Sequence, residues 1–371
     1  MIPVSRPLIT DDDVEAVAGI LRQGFVSGDA PIVSEFERAF AAAVDREHGI
    51  AVANGSVALD LALHALDLEE GDEVVIPSFT IASCLFAVLR TKAKPVFADV
   101  DPTTWNLSVE TLRPVVTSRT RALIAVHIYG LPIDMDPVLE LCRERGITVI
   151  EDSAEAHTVA YKGSVCGSFG LASTFSFYAN KAITCGEGGM VVTDDAAFAA
   201  RVRGLRNLSF LPAPGPRFVH EEIGWNSRLS ALQAALGKSQ LTRMNEVTAE
   251  KRRIGLRYFD ALGGNSELVM QPTETSYSRN MYWVVGVLLP ERCNARAIAA
   301  ALRERGVDTR PFFFPLHKQP LLARYSLADQ AALPVSERLG SHGLYLPSFV
   351  GITDDEIATS AQALVETVSG V

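Results

Sequence analysis

Two stretches of the 371-residue chain carry residue types that could do chemistry together. The first is ITVIEDSAEAH (147–157), where a β-branched apolar run brings Glu151, Asp152 and Glu155 to its carboxyl end, the place where open α/β sheets hold their ligands. The second is STFSFYANKAITCGEGG (173–189), in which one lysine, Lys181, follows a β-like run and precedes a glycine-rich turn. A lysine amine can form a Schiff base with a carbonyl. A carboxylate set against a pyridine nitrogen keeps that nitrogen protonated. Together they suit pyridoxal phosphate (PLP), whose ring then acts as an electron sink. Taken singly each piece has a plainer meaning: a surface lysine, a helix cap at Asp152, a strand hydroxyl at Ser176. The combination is what points to a cofactor.

A third signal is Asn54-Gly55-Ser56-Val57-Ala58-Leu59, where a strand turns through glycine into a helix. Free backbone N–H groups and the helix dipole face any anion placed there. The segment lacks both the P-loop pattern and the GxGxxG of a dinucleotide site, and an ordinary strand-to-helix turn reads the same way.

The elements that must position these residues alternate in type. Strands are expected over 48–54, 72–78, 94–100, 121–130, 147–153, 173–178 and 188–194, with helices over 56–66, 81–90, 136–145 and 195–206 between several of them. Such alternation implies a mostly parallel sheet covered on both faces. The close spacing of the last two strands implies at least one antiparallel neighbour. A Pro/Gly-rich excursion follows over 209–224, then one long helical pattern from Leu229 to Ala261. Beyond it come a strand at 281–289, a helix at 294–305, a strand-like 308–314 and a final helix in which Thr353 and Glu356 are spaced as a capping box. The expected organisation is a large domain over 1–245, its N-terminal segment near the substrate site, and a small C-terminal α/β domain over 246–371.

Composition removes other classes. At about 150 residues per domain the length gives two to three domains, and 48% hydrophobic with 21% charged residues excludes intrinsic disorder. Lys and Arg number 34 against 44 Asp and Glu, a net charge of −10, which argues against a nucleic-acid partner. The richest basic run, Lys251-Arg252-Arg253, is read as a solvated helix face. No apolar run is long enough for a membrane span, and the start lacks a signal-peptide pattern. Five cysteines without CxxC spacing fit reduced thiols in a cytoplasmic protein rather than disulfides or a metal site.

The blocks NGSVAL, GDEVVIPSFT, PVFADVD, AVHIYG, VIEDSAEAH, TFSFYANKAITCGEGGMVVTDD and WNSRLSALQAALG, in this order, resemble the successive signatures of the DegT/StrS sugar-nucleotide aminotransferases. That resemblance covers nearly the whole chain. It implies the three-layer fold of fold-type-I PLP enzymes, with Lys181 as the Schiff-base lysine and Asp152 as the partner of the pyridine nitrogen. It also implies Glu155 beside the 3′-oxygen, and Gly55, Ser56 and Ser176 at the phosphate. Asn226 matches the asparagine that a neighbouring subunit contributes, which implies a homodimer with shared active sites. His317 and Arg310, in RPFFFPLH, would contact the sugar nucleotide.

Within the family, Glu155 in place of the usual glutamine, together with segments 310–320 and 336–349, is similar to the GDP-perosamine synthases. These convert GDP-4-keto-6-deoxymannose and L-glutamate into GDP-perosamine and 2-oxoglutarate. Two departures stand out. Ile81 occupies the position of an aromatic residue that stacks on the cofactor, and GFVSGDAP (24–31) lacks the run associated with perosamine synthases. Other keto-sugars (a 3-keto isomer, a dTDP- or UDP-linked sugar) or a keto-cyclitol are the competing substrates. A dehydratase of the family would carry histidine at Lys181, and a non-catalytic cofactor-binding regulator would not need both Lys181 and Asp152.

Overall fold

The computed structural model describes residues 1–210, 215–216, 218–328 and 330–371. Its β-branched runs become strands because such side chains pack well on a pleated surface. These are β1 (His48–Val52), β2 (Glu73–Pro77), β3 (Lys94–Ala98), β4 (Thr120–Val126) and β5 (Thr148–Asp152). A small hairpin, β6 (Ala160–Tyr161) with β7 (Ser164–Val165), leads to β8 (Ala172–Ser176) and β9 (Gly189–Thr193). Among the described residues they build a seven-stranded sheet in the order β1-β9-β8-β5-β4-β2-β3, with the hairpin apart. β5 runs parallel to β4 and β8, and β2 parallel to β3 and β4. β9 is reversed, antiparallel to both β8 and β1, because the link through 177–188 contains no crossover helix.

Two helices, α1 (Asp11–Gln23) and α2 (Pro31–Ala43), precede the sheet, and α3 (Gly55–His64), α4 (Ala82–Leu89), α5 (Val109–Leu112), α6 (Met135–Arg145) and α7 (Ala196–Arg206) alternate with its strands. Successive side chains on a strand point to opposite faces. Val74, Ile76 and Ile124 therefore pack with Leu61 and Leu85 of α3 and α4, whereas Val75 and Leu123 pack with Val138 and Leu141 of α6. Three layers result.

The pattern expected as one helix over 229–261 is two: α8 (Ala231–Leu241) and α9 (Met244–Leu262). Arg243 leaves helical geometry at φ −119°, ψ 17°, and its guanidinium pairs with buried Asp13 of α1. The break lets the halves serve different neighbours, α8 packing on α1 and α2 and α9 on the last helix. Further on lie β10 (Val285–Leu288), α10 (Ala295–Glu304), β11 (Arg310–Pro311), α11 (Pro334–His342), β12 (Gly343–Leu346) and α12 (Asp354–Ser369). β12 pairs antiparallel with β10 and β11, and Ile254, Val287, Ile298 and Leu364 share the core beneath. The Thr353–Glu356 capping box is formed, each residue's side chain accepting from the other's amide.

Two strands are shorter than their apolar runs. Residues 281–283 spend their amides on the large sheet's side, Met281 donating to Gly130 and Trp283 to Tyr129, so β10 begins only at Val285. Of 308–314, the strand itself is only Arg310 and Pro311, with Phe312 N–H donating beyond it to the Gly343 carbonyl. Within 209–224, residues 211–214 and 217 lie outside the described residues.

The basic run 251–253 is not a solvated face. Lys251 is buried, its ammonium donating to the carbonyl and hydroxyl of Ser348, and Arg252 donates to the carbonyls of Thr273 and Asn280. Arg253 is the member that stays partly exposed, paired with Glu250 and Asp354. The first residues of the chain cross to the small sheet's side, Ile2 bridging to Val307 and Ser348 donating to Val4.

Candidate active site

Register alignment sets several candidate residues at one level of the sheet. Asp152 sits opposite Thr174 and Val126, Ser176 opposite Gly189, and Gly189 opposite Val52. The carboxyl ends of β1, β4, β5 and β8 therefore share one edge with the start of β9. Close approach there needs glycine. A Cβ at Gly189 would stand 2.5 Å from the carbonyl of Asn54, and one at Gly55 would stand 2.8 Å from Ser176 Cβ. These contacts bring the N-terminus of α3 against the end of β8. Asn54 caps that helix by accepting from Val57 N–H, and Ser56 Oγ lies 2.6 Å from Ser83 Oγ at the start of α4.

The strand end sorts its three carboxylates by period two. Glu151 points into the interior, where it accepts from His127 Nε2 at 2.8 Å and from the amides of Gly167 and Phe169, near buried Arg46. It ties the sheet to the 167–170 turn. Asp152, on the other face, is 4% exposed, with one oxygen taking Ala154 N–H and the other the Cys84 thiol at 3.5 Å. Burial raises its pKa, against the opposing pull of the Ala154 amide and Lys181. Glu155, just past the strand, accepts from Tyr129 N–H through one oxygen and places the other 3.7 Å from Lys181 Nζ.

Lys181 lies in the β8–β9 link, which is pinned by Phe177 N–H to the Gly188 carbonyl and Cys185 N–H to the Phe177 carbonyl. Its side chain is buried, with Nζ 3.6 Å from the centre of the Trp283 ring. The Trp283 indole in turn donates to the Asn180 carbonyl, immediately before the lysine. Burial lowers the lysine's proton affinity and raises that of Glu155, so the neutral pair is favoured over what two such groups show in water.

Other candidates fall in different places. Ile81 caps α4 and is 43% exposed, and Tyr178 is 48% exposed beside Lys181's loop. Arg310 lines a cleft with Tyr178, Asn180, Trp283 and Tyr345, one guanidinium nitrogen engaged by Asp308. Asn226 is exposed, in a segment bridged to Asn207 and running beside Val52 and Ala53. His317 is not among the residues lining that cleft. Its side chain is fully buried and both ring nitrogens are engaged, Nδ1 with Ser78 Oγ at 2.6 Å and Nε2 with Glu337 at 3.1 Å. It joins the 316–318 turn to the end of β2 and to α11. His317→Ala is expected to cost about 2–3 kcal/mol of stability by leaving Ser78 unpaired. The same variant should leave the KM for the keto-sugar within about twofold, because both ring nitrogens are already taken by Ser78 and Glu337. Thermal melts and steady-state kinetics check the two halves.

The family model for the DegT/DnrJ/EryC1/StrS aminotransferases matches residues 7–365. The chain belongs to this family. It is 36% identical to a GDP-perosamine synthase of Escherichia coli O157:H7, over 99% of each chain. It is also 36% identical to the GDP-perosamine synthase of Caulobacter vibrioides, over 98% of this chain and 97% of that one. Among solved structures it is similar to the aminotransferase TlmJ from Streptoalloteichus hindustanus (TM-score 0.92, 29% identity), covering 100% of this chain and 99% of that one. As a DegT-family member the protein is a PLP-dependent sugar aminotransferase with the fold-type-I architecture.

The residues present fit that cofactor. A buried carboxylate, a buried amine and a glycine-lined helix N-terminus flanked by hydroxyls match the pyridine nitrogen, the aldehyde and the phosphate respectively. Sequence reasoning missed Trp283, Cys84 and Tyr129, each of which touches a member of this DegT-family site. Trp283 and Tyr129 carry no local signal. They arrive through the backbone pairing of 281–283 with 129–130. Cys84 lies on the buried face of α4, visible as an apolar position but without any mark of its neighbour.

Proposed function

We propose that this aminotransferase moves the amino group of L-glutamate to C4 of GDP-4-keto-6-deoxymannose, forming GDP-perosamine and 2-oxoglutarate. The observation that carries the reading is the Glu155 carboxylate beside Lys181 Nζ, in a chain whose full length aligns with GDP-perosamine synthases. In this reading Lys181 holds the cofactor covalently, Asp152 holds its ring nitrogen protonated, and Glu155 faces its phenolic oxygen. Gly55, Ser56 and Ser176 take the phosphate through amides and hydroxyls. PLP supplies an electron sink for the two half-reactions. Once displaced by the donor, Lys181 Nζ takes the proton from the donor Cα, and in the second half it returns one to C4 of the sugar. Burial lowers the proton affinity of this amine, which favours the free base that such a transfer needs. Arg310, in the cleft, offers a cation to the anionic part of the substrate.

A homodimer belongs to the same reading. Asn226 is exposed here, and Asn226 of the partner subunit would complete the phosphate site. Exposed apolar groups, Tyr178 at the cleft and Ile81, Phe25 and Ile223 elsewhere, are the surfaces such a partner would cover.

Purified protein loaded with PLP and followed by absorbance tests the first half. The band of the lysine-bound cofactor should appear and then give way on adding L-glutamate. Addition of GDP-4-keto-6-deoxymannose should restore it and yield GDP-perosamine by mass spectrometry. A band that ignores glutamate shows the donor to be wrong, and no band at all refutes the assignments of Lys181 and Asp152.

One structural observation favours a second substrate. The 24–31 loop packs on the Asn226 segment so closely that a Cβ at Gly28 would stand 2.8 Å from Arg228 Cβ, so its divergent sequence lies where a substrate-facing wall is expected. A different keto-sugar would then be preferred, and turnover of a panel of nucleotide sugars separates the two. Ile81 affects cofactor hold in either case. Ile81→Tyr is expected to restore ring stacking worth about 0.5–1.5 kcal/mol, which tightens PLP about 2- to 12-fold. Equilibrium titration of the apoprotein measures it, and unchanged affinity would mean that residue 81 does not cover the ring.

A further inference from the structure

Lys251 is a second buried lysine that the mechanism above does not use. It lies on α9 at 7% exposure, and its ammonium is held by two neutral acceptors of one residue, the carbonyl and the hydroxyl of Ser348, the latter at 2.9 Å. Among the described residues no carboxylate lies within ion-pair distance of it, and one of its three N–H donors is uncommitted. A buried cation without a counter-charge is costly, and a fold that needed only to fill this space would do better with methionine or leucine. Burial pushes the ammonium's pKa down to about 7, with no charged neighbour to offset it.

The position of the lysine explains what could compensate it. Lys251, Asn180, Trp283 and Ser348 line a cleft of about 360 Å³ together with Arg310 and Tyr345. The same four residues also border a narrow space of about 30 Å³ that touches Lys181 itself. Asp308 partly neutralises Arg310, whereas Lys251 has no carboxylate partner among the described residues; Arg6 also borders the narrow space, its guanidinium over the Phe349 ring.

We infer that Lys251 is the counter-charge for a carboxylate of the amino donor. This rests on the aminotransferase reading given above. An amino-acid donor carries a carboxylate on the reacting carbon and, for glutamate, another within three carbons of it. The diphosphate of a nucleotide sugar is separated from the reacting ketone by the hexose ring and so lies towards the mouth of the cleft. An ammonium that borders the space beside Lys181 suits the nearer anion. The same site must then accept an uncharged sugar ring in the second half-reaction. A lysine that Ser348 can hold between visits accommodates both.

The test uses the PLP-loaded enzyme, its absorbance change on titration with L-glutamate, and GDP as a competing probe for the diphosphate. Lys251→Met should leave the initial cofactor band as in the unaltered enzyme. It should raise the half-saturating glutamate concentration about ten- to a hundredfold, the value of one charge-assisted hydrogen bond, and leave inhibition by GDP within about twofold. Lys251→Arg, which keeps the charge, should recover most of the donor response. If the methionine variant is unfolded by circular dichroism, Lys251→Gln carries the same comparison. An unchanged response to glutamate, an equal loss towards GDP, or loss of the cofactor band itself overturns the inference. If the unaltered enzyme forms no band or ignores glutamate, the proposed function falls and this inference falls with it.

Discussion

Replacing Lys181 by alanine is expected to abolish transamination while leaving the protein folded. Proton transfer by a positioned side chain is worth about 10²–10⁴-fold by itself, and the covalent hold proposed for Lys181 would be lost as well. A fall of at least about 10³-fold should therefore be seen in 2-oxoglutarate formation, with no absorbance band of a lysine-bound cofactor. The fold should survive because nothing structural depends on the amine. Glu155 keeps its bond from Tyr129 N–H, and its raised pKa lets it carry a proton rather than remain a bare buried charge. Trp283 loses a cation over its face but keeps its indole bond to Asn180, a change of about 0.5–2 kcal/mol. Far-ultraviolet circular dichroism and a melting curve check the second half of the statement. Persistent turnover in this variant would end the assignment of Lys181.

The second large effect concerns Asp152. Asp152→Asn keeps the shape of the side chain and its acceptor for Ala154 N–H, but removes the charge that would hold a ring nitrogen protonated. A loss of about 10²–10³-fold in kcat/KM is expected, the range found when one preorganised electrostatic partner is removed from a site. The effect should lie in kcat rather than in binding of the donor, because Asp152 is buried and does not line the cleft. Measured kcat within a few-fold of the unaltered enzyme would show that some other group supports the ring nitrogen. The neighbouring Glu151 is not that group, since His127 and two backbone amides consume its oxygens on the opposite face of the sheet.

Much of this was legible in the residues themselves. The strands were readable because parallel strands buried on both faces consist of β-branched runs such as VVI in β2 and TVI in β5. Lys181 and Asp152 were readable because each closes or follows such a run, so that sheet architecture alone places them on one edge. The separation of Glu151 from Asp152 was also available, since adjacent strand residues face opposite ways. The burial of Lys251 was present in the same sense: Met244, Val247, Lys251, Ile254 and Tyr258 recur at helical spacing on one face of α9. Its charge suggested a solvated surface, but the period had already put it inside.

Other features depended on contacts between residues far apart in sequence. The stop at Arg243 comes from its pairing with Asp13, more than two hundred residues earlier. A histidine in a Pro-rich turn is ambiguous from sequence, and only the packing of that turn against Ser78 and Glu337 gave the two nitrogens of His317 their partners. Trp283 beneath Lys181 follows from a backbone ladder to Tyr129 and Gly130 that no local pattern announces. The sequence by itself determined the element types, the family and the edge of the sheet on which the candidate residues gather, because these follow from periodicity and from motifs local to the chain. The tertiary structure decided which polar groups are neutralised, which are buried without a partner and which reach the cleft, because burial and pairing are properties of the space between distant segments.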